Sequence, residues 1–209
     1  MPCPHKFQCD LNLENLDFHP TELMIGTFSP SWPKGNRAEW FYGRTSNNYF
    51  WDVLPRMFDP ETSLMKGTAR HWKDFCKEKK VALTDMISCI NDAEEGKHDT
   101  VLKGYVDLDI ATRFHDFDFT DISGILCRYT SIKNVYLTRQ AGIQLFDEQW
   151  DKIRLFAQSH LDRKVNFKML LTPSKNARFH MDDYKETNPG DPKPLRNFIY
   201  QSWQKVWHH

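Results

Sequence analysis

Four short apolar runs set the frame of this chain: "ELMIGTF" at 22–28, "VALTDM" at 81–86, "NVYLTR" at 134–139 and "NFKMLLT" at 166–172. None alternates polar and apolar residues as a strand with one wet face would, so each reads as a strand covered on both faces. Helical patterns lie between and after them. Asn48–Met57 and Thr68–Lys79 read as short helices, and Ile143, Phe146, Trp150 and Ile153 recur at helical spacing. Leu195, Phe198, Ile199 and Val206 do the same in the last segment, which opens after "DPKP", a good helix start. Strands alternating with helices imply an α/β layered fold with a mainly parallel sheet.

Parallel strands share a direction, so the loops leaving their C-terminal ends gather along one edge, where ligands of open α/β sheets bind. The loop after Phe28, the "TDMIS" turn and the "TPSKNARF" turn are therefore expected to face a common crevice. The first of these is unusual. From Gly26 to Trp51 the chain reads "GTFSPSWPKGNRAEWFYGRTSNNYFW", rich in Pro, Gly, Ser and Asn and studded with aromatic rings. Ordinary βα connections run to roughly 2–6 residues, and long structureless ones are functional or disordered. Disordered segments are poor in aromatics, so this loop is expected to hold something.

A chain of 209 residues fits one domain, 1–209, with residues 1–20 as an N-terminal extension; no repeat, low-complexity tract or linker divides it. Lys+Arg and Asp+Glu balance at 28 each, so no global charge points to nucleic acid, membrane or acidic substrate. A local basic face remains open. Residues 161–209 hold Arg163, Lys164, Lys168, Lys175, Arg178, Lys185, Lys193, Arg196 and Lys205 against five acids. No run of about 18 apolar residues occurs, and "MPCPHKFQCD" lacks the apolar stretch of a signal peptide. The five scattered cysteines, Cys3, Cys9, Cys76, Cys89 and Cys127, read as reduced thiols of a cytoplasmic protein. His208 and His209 are given no function.

Familiar catalytic signatures are missing. The chain has no phosphate-binding G-x-x-x-x-G-K-S/T, no G-x-G-x-x-G, no H-E-x-x-H and no G-x-S-x-G. Cys3, His5 and Cys9 offer three metal ligands without a fourth at a recognised spacing. Neither a metal nor a cofactor is expected.

Two stretches remain, and together they resemble the motifs of the uracil-DNA glycosylase superfamily. Gly26-Thr27-Phe28-Ser29-Pro30, Tyr42-Gly43 and Asn48-Tyr49-Phe50-Trp51 follow the order of that family's first motif, and Thr172-Pro173-Ser174 that of its second. The Asn-x-Phe-Trp element most resembles the mismatch-specific and hypoxanthine-acting branches, and "VALTDMISC" and "VYLTRQAGIQLF" look like their second- and third-strand regions. The likeness runs from about residue 22 to 178. It implies a three-layer α/β/α sandwich around a mainly parallel, four-stranded sheet. It also implies an enzyme, a monomer without cofactor, that hydrolyses the N-glycosidic bond of a deaminated base, uracil or hypoxanthine, in DNA repair. Here Pro30 sits one residue later than in the usual G-x-x-P, and Thr27 and Ser29 are the polar side chains where the family carries an acid or amide.

Such an enzyme needs a ring to stack the extruded base, an amide to read its edge, and donors for the negative charge of the departing base. Tyr42 is the candidate stacker, with Gly43 leaving room beside it; as a structural residue it would simply cover the sheet edge. Asn48 donates and accepts at once, as reading a base edge requires, and it equally suits a helix N-cap. Phe50 and Trp51 read as core. Thr27, Phe28 and Ser29 would line the crevice, with Thr27 and Ser29 beside Asn48 as the groups holding the attacking water. Asp85 either faces the same edge or caps a following helix. Ser174, Lys175 and Asn176 would offer donors to the leaving base, and Arg178 would grip phosphate or wedge into the emptied stack. As a plain turn, these four would only face solvent. Two rival readings stay open: an inactive nucleic-acid- or nucleotide-binding protein of the same fold, and a small-molecule α/β binding protein.

Overall fold

A computed structural model describes residues 1–207; His208 and His209 lie outside the described residues. The four expected strands form one sheet. They are β2 (Glu22–Gly26), β3 (Val81–Asp85), β6 (Asn134–Leu137) and β7 (Asn166–Met169), in the order β3-β2-β6-β7 and all parallel. Their register aligns Gly26 with Asp85, Ile25 with Leu137 and Leu137 with Met169, so the C-terminal ends finish level.

Period-two geometry decides what each side of this sheet meets. Leu23, Ile25, Ala82, Val135 and Leu137 face one buried cluster, built with α6 (Ile122–Arg128) and α7 (Gln144–His160). Met24, Val81, Leu83 and Tyr136 face the other, built with α2 (Phe50–Arg56), α3 (Ala69–Lys79) and α9 (Pro194–Gln204). This is the expected three-layer α/β/α sandwich. The central strands β2 and β6 are buried almost throughout, whereas the edge strand β7 is half-buried.

A second sheet was not foreseen. The run "VALTDMISCI" is two strands, because the chain turns away at Met86 into β4 (Ile87–Ile90). There it pairs antiparallel with β1 (Cys3–Pro4) and β5 (Phe117–Phe119). The first residues of the chain are thus bound into the structure: Cys3 and His5 are fully buried, and His5 bridges to Pro30. Between β4 and β6 lie α4 (Asp99–Gly104), α5 (Asp107–Arg113) and α6, in a stretch without a strong periodic signal. After β7 the chain forms a 3-10 turn at Lys175–His180 and the short α8 (Asp182–Thr187) before α9.

The aromatic loop is held by its own rings. Trp51 is fully buried, stacks on Trp72 at 5.0 Å between centroids, and donates its indole N–H to the Phe41 carbonyl at 2.9 Å. Trp40 stacks on the same ring from 6.0 Å, and Phe41 is buried beside it. These contacts anchor the loop against α2 and α3, which explains its length without disorder. Removing a buried Trp leaves a cavity, and here also strands a buried carbonyl. Trp51→Ala is expected to cost about 3–5 kcal/mol, read from urea unfolding. An unchanged midpoint would show that the loop is anchored elsewhere.

Candidate active site

The level strand ends open into a crevice of about 390 Å³, within the range of roughly 300–1,000 Å³ common for small-molecule sites. Its lining includes Gly26–Ser29 from the end of β2, Asp85 from β3, Thr138 and Arg139 after β6, and Thr172–Ser174 after β7. The three expected turns and the end of β6 meet as the parallel topology requires.

Main-chain bonds stitch the two motif loops together across the crevice. Tyr49 N–H donates to the Pro173 carbonyl at 2.7 Å, and Lys175 N–H to the Asn47 carbonyl at 3.0 Å. Asn48 and Ser174 form the β-bridge between them. The Asn48 Oδ1 accepts from Phe50 N–H at 2.9 Å. That bond satisfies one of the free donors at the start of α2, although the capping position itself belongs to Tyr49. Its Nδ2 makes no hydrogen bond among the described residues.

Tyr42 has a left-handed backbone, φ 56°, a conformation that costs a non-glycine residue roughly 1–3 kcal/mol and that structures tolerate where the surroundings impose it. One face of its ring lies flat on Phe50, with centroids 3.8 Å apart and planes within 7°. A base could stack only on the other face. Thr138 Oγ1 donates to the Ile25 carbonyl, so the Tyr42 hydroxyl donates to Thr138 Oγ1 at 2.8 Å. Burial, and then the neighbouring Asp85 charge, push the phenol well above its ordinary pKa.

Gly26 is dictated by close approach. A Cβ there would fall 2.1 Å from Asp85 Oδ1 and 2.7 Å from the Tyr42 hydroxyl. Asp85 does not cap a helix, because β4 follows it directly. Its carboxylate is 6% exposed and its Oδ2 lies 2.8 Å from His5 Nε2, so the N-terminal segment holds up the crevice floor.

The remaining charges come from outside the expected motifs. Asp107, the first residue of α5, accepts the Thr27 hydroxyl proton on Oδ1 at 2.8 Å. Burial raises its pKa and Asp85 adds to the rise, while the Thr27 bond and the Arg139 and Arg44 charges oppose it. Arg44 lies over the Tyr105 ring at 3.2 Å, and Arg139 over Phe146 at 4.6 Å. Burial pulls both guanidinium pKa values down. Arg139 Nη1 is buried without a hydrogen-bond partner among the described residues. Two arginines and two carboxylates thus line one open crevice.

Of the residues singled out in the sequence, Thr27, Phe28, Ser29, Tyr42, Asn48, Ser174 and Asn176 all line this crevice. Lys175 and Arg178 are exposed outside its lining, and Arg178 lies 4.8 Å over the ring of Phe179, itself 69% exposed. Ser29 Oγ accepts from Asn36 Nδ2 at 3.2 Å. Sequence reasoning missed Arg44, Asp107 and Arg139, and it noted His5 only among three metal ligands lacking a fourth. Arg44 and Arg139 sit inside quoted stretches, but Asp107 lies in "YVDLD", which has no motif to mark it. Among the described residues no group of three or more His, Cys, Asp or Glu side chains is arranged to hold a metal ion. Cys3 Sγ points to the Trp32 carbonyl and His5 to Asp85, while Cys9 is an exposed free thiol. A second cavity, about 310 Å³, lies beside Asp10, Leu13, Trp40 and Cys76, away from the strand ends. No helix among the described residues is long and apolar enough to cross a membrane.

No protein-family model matches the sequence, and no curated protein matches it. Among solved structures the chain is similar to a solution NMR structure described as "a putative Uracil DNA glycosylase from Methanosarcina acetivorans". The TM-score is 0.51 at 12% identity, over 89% of this chain and 92% of that one. Likeness at this identity concerns the fold. The chain therefore has a uracil-DNA glycosylase-like α/β/α fold, with a built polar crevice at its strand ends.

The floor of that crevice is tightly packed at Gly26. Gly26→Ala forces the Asp85 carboxylate off its position and disturbs the His5 contact. A loss of about 1–3 kcal/mol is expected, as for overpacked cores, measured by urea unfolding. Wild-type stability would mean that the carboxylate moves aside freely.

Proposed function

We propose that this protein is a DNA glycosylase that hydrolyses the N-glycosidic bond of a deaminated base, leaving an abasic site. The observation that carries this reading is the stitch between Asn47–Tyr49 and Pro173–Lys175. It supports the reading because it holds an amide, a ring and a polar turn at one crevice, parts that would serve base extrusion, base reading and leaving-group stabilisation.

Deamination replaces an exocyclic amine with a carbonyl, turning a donor edge into an acceptor edge. The Asn48 Nδ2 is a donor without a partner among the described residues, because the side chain is anchored through its oxygen. An anchored donor facing the base favours uracil or hypoxanthine over the parent bases, in keeping with the resemblance to the hypoxanthine-acting and mismatch-specific branches. The open face of Tyr42, with Phe28 nearby, would sandwich the base, and stacking of this kind is worth roughly 1–3 kcal/mol. Ser174 and Asn176 would face the departing base. Lys175 and Arg178 on the exposed turn would contact phosphates, with the solvent-exposed Phe179 ring at the rim.

One observation favours the rival, an inactive binder of the same fold. The Thr27 hydroxyl is donated to Asp107 and Ser29 Oγ is engaged by Asn36, so neither is free to act as a base toward water.

Oligonucleotides carrying uracil, hypoxanthine or xanthine, treated with alkali after incubation, read base release as strand cleavage. Release from at least one of them is expected; binding without release would favour the inactive reading. Asn48→Asp tests the base-reading role. Asp retains the acceptor that meets Phe50 N–H but lacks the amide donor, so the melting temperature should hold. The rate on deaminated bases should fall by about a hundred- to a thousandfold. Near wild-type kinetics on every base, with folding intact, would remove Asn48 from the site.

A further inference from the structure

Where this fold's opening motif would place an acid or amide, the chain carries Thr27 and Ser29, and both hydroxyls are already engaged. The question is which group could take a proton from water. Hydroxyls and amides are poor proton acceptors, and the guanidinium groups of Arg44 and Arg139 are donors only. The carboxylates lining the crevice are Asp85 and Asp107. Asp85 is a floor residue: its Oδ1 packs against Gly26 and its Oδ2 against His5 Nε2. Asp107 differs. Its Oδ1 is fixed by the Thr27 hydroxyl, and its Oδ2 makes no hydrogen bond among the described residues.

Resting on the glycosylase reading above, we propose that Asp107 is the catalytic base of this crevice, delivered by α5 and held in place by Thr27. The motif position supplies not the carboxylate but the hydroxyl that orients it. In the reaction the C1′–N bond breaks and its electron pair leaves with the base. The water oxygen bonds to C1′, and one water proton passes to Asp107 Oδ2. The base anion, facing Ser174 and Asn176, takes a proton from solvent, and Asp107 returns its own to solvent. Geometry and charge agree with this role. A carboxylate whose pKa is raised by burial and by Asp85 is a stronger base than a solvated one, and the Thr27 bond and the Arg139 and Arg44 charges oppose that rise by favouring the ionised form.

The test uses single-turnover rates on a uracil or hypoxanthine oligonucleotide, with binding to abasic DNA measured in parallel. Asp107→Asn keeps the shape and the acceptor for Thr27 but cannot take a proton. It should slow base release by about a hundredfold or more while leaving abasic-DNA affinity within about twofold, since the general-base role acts on rate rather than on product binding. Folding is a separate readout. A carboxyl whose folded pKa is raised binds more protons folded than unfolded, so its contribution to stability falls as pH rises through that window. Asp107→Asn should therefore melt no lower than wild type at pH 7. Thr27→Val gives a second, independent check. It removes a bond that favours the charged form, so the acidic limb of the pH–rate profile should move to higher pH. The groups facing Asp107 are Thr27, Tyr42, Arg44, Asp85 with its partner His5, and Arg139; all but Thr27 are unchanged in that variant.

An active wild type with an unimpaired Asp107→Asn variant, or an unshifted limb in Thr27→Val, overturns the assignment and leaves the glycosylase reading standing. Equal losses in rate and abasic-DNA binding would also overturn it, by making Asp107 a binding group. No base release by the wild-type protein from any of the oligonucleotides overturns both.

Discussion

The crevice depends on a short antiparallel stitch between two loops that leave different strands of the sheet. Tyr49 N–H on the Pro173 carbonyl and Lys175 N–H on the Asn47 carbonyl fix the start of α2 against the turn after β7. Main-chain bonds of this kind do not depend on side-chain identity, so the stitch sets the geometry of the mouth through the backbone alone. Everything placed at the mouth follows from it: Asn48 beside Ser174, Phe50 under the Tyr42 ring, and α2 across the sheet. The aromatic stack of Trp40, Trp51 and Trp72 supports the same loop from behind. A long connection becomes rigid because its rings are buried in the core.

Two carboxylates and two guanidinium groups line one crevice without forming direct ion pairs with one another among the described residues. Burial works against the ionised forms of Asp107, Arg44 and Arg139, and Asp85 is buried beside them. Compensation comes from unlike elements: a histidine of the N-terminal segment, a threonine of the first motif, and two aromatic faces under the guanidinium groups. Such an arrangement is costly to build for stability alone. Perturbed ionisable groups gathered in one cleft are a common mark of function. The fold's neutral total charge conceals this local concentration.

The architecture was largely legible in the sequence. Apolar runs without alternation gave the four parallel strands, and the periodicity of Ile143, Phe146, Trp150 and Ile153 gave a helix observed at Gln144–His160. Boundaries were less legible: the run ending at Thr172 stops being a strand at Met169, and the one at Val81–Met86 hides the bend into β4. A continuous apolar run looks the same whether it is one strand or two, because burial in a second sheet demands the same residue types. The antiparallel sheet went unseen for that reason, and because β1 is only two residues long. Asp85 was noticed as a polar residue closing a strand, but its partner is His5, eighty positions away.

By itself, then, the sequence determined the layers, the edge at which a site would lie, and several of its lining residues: Phe28, Tyr42, Asn48 and Ser174. The layers and the edge follow from local pattern and from the rule that parallel strands end on one side, and the residues from the resemblance to the uracil-DNA glycosylase motifs. Only the tertiary structure decided which charges enter the site. Asp107 and Arg139 are brought there by packing of α5 and the end of β6, with His5 of the N-terminal segment behind Asp85, and no local spacing encodes those meetings. The physical reason is that backbone periodicity is a property of neighbouring residues. The partner of a buried charge is fixed by whichever distant element the fold presses against it.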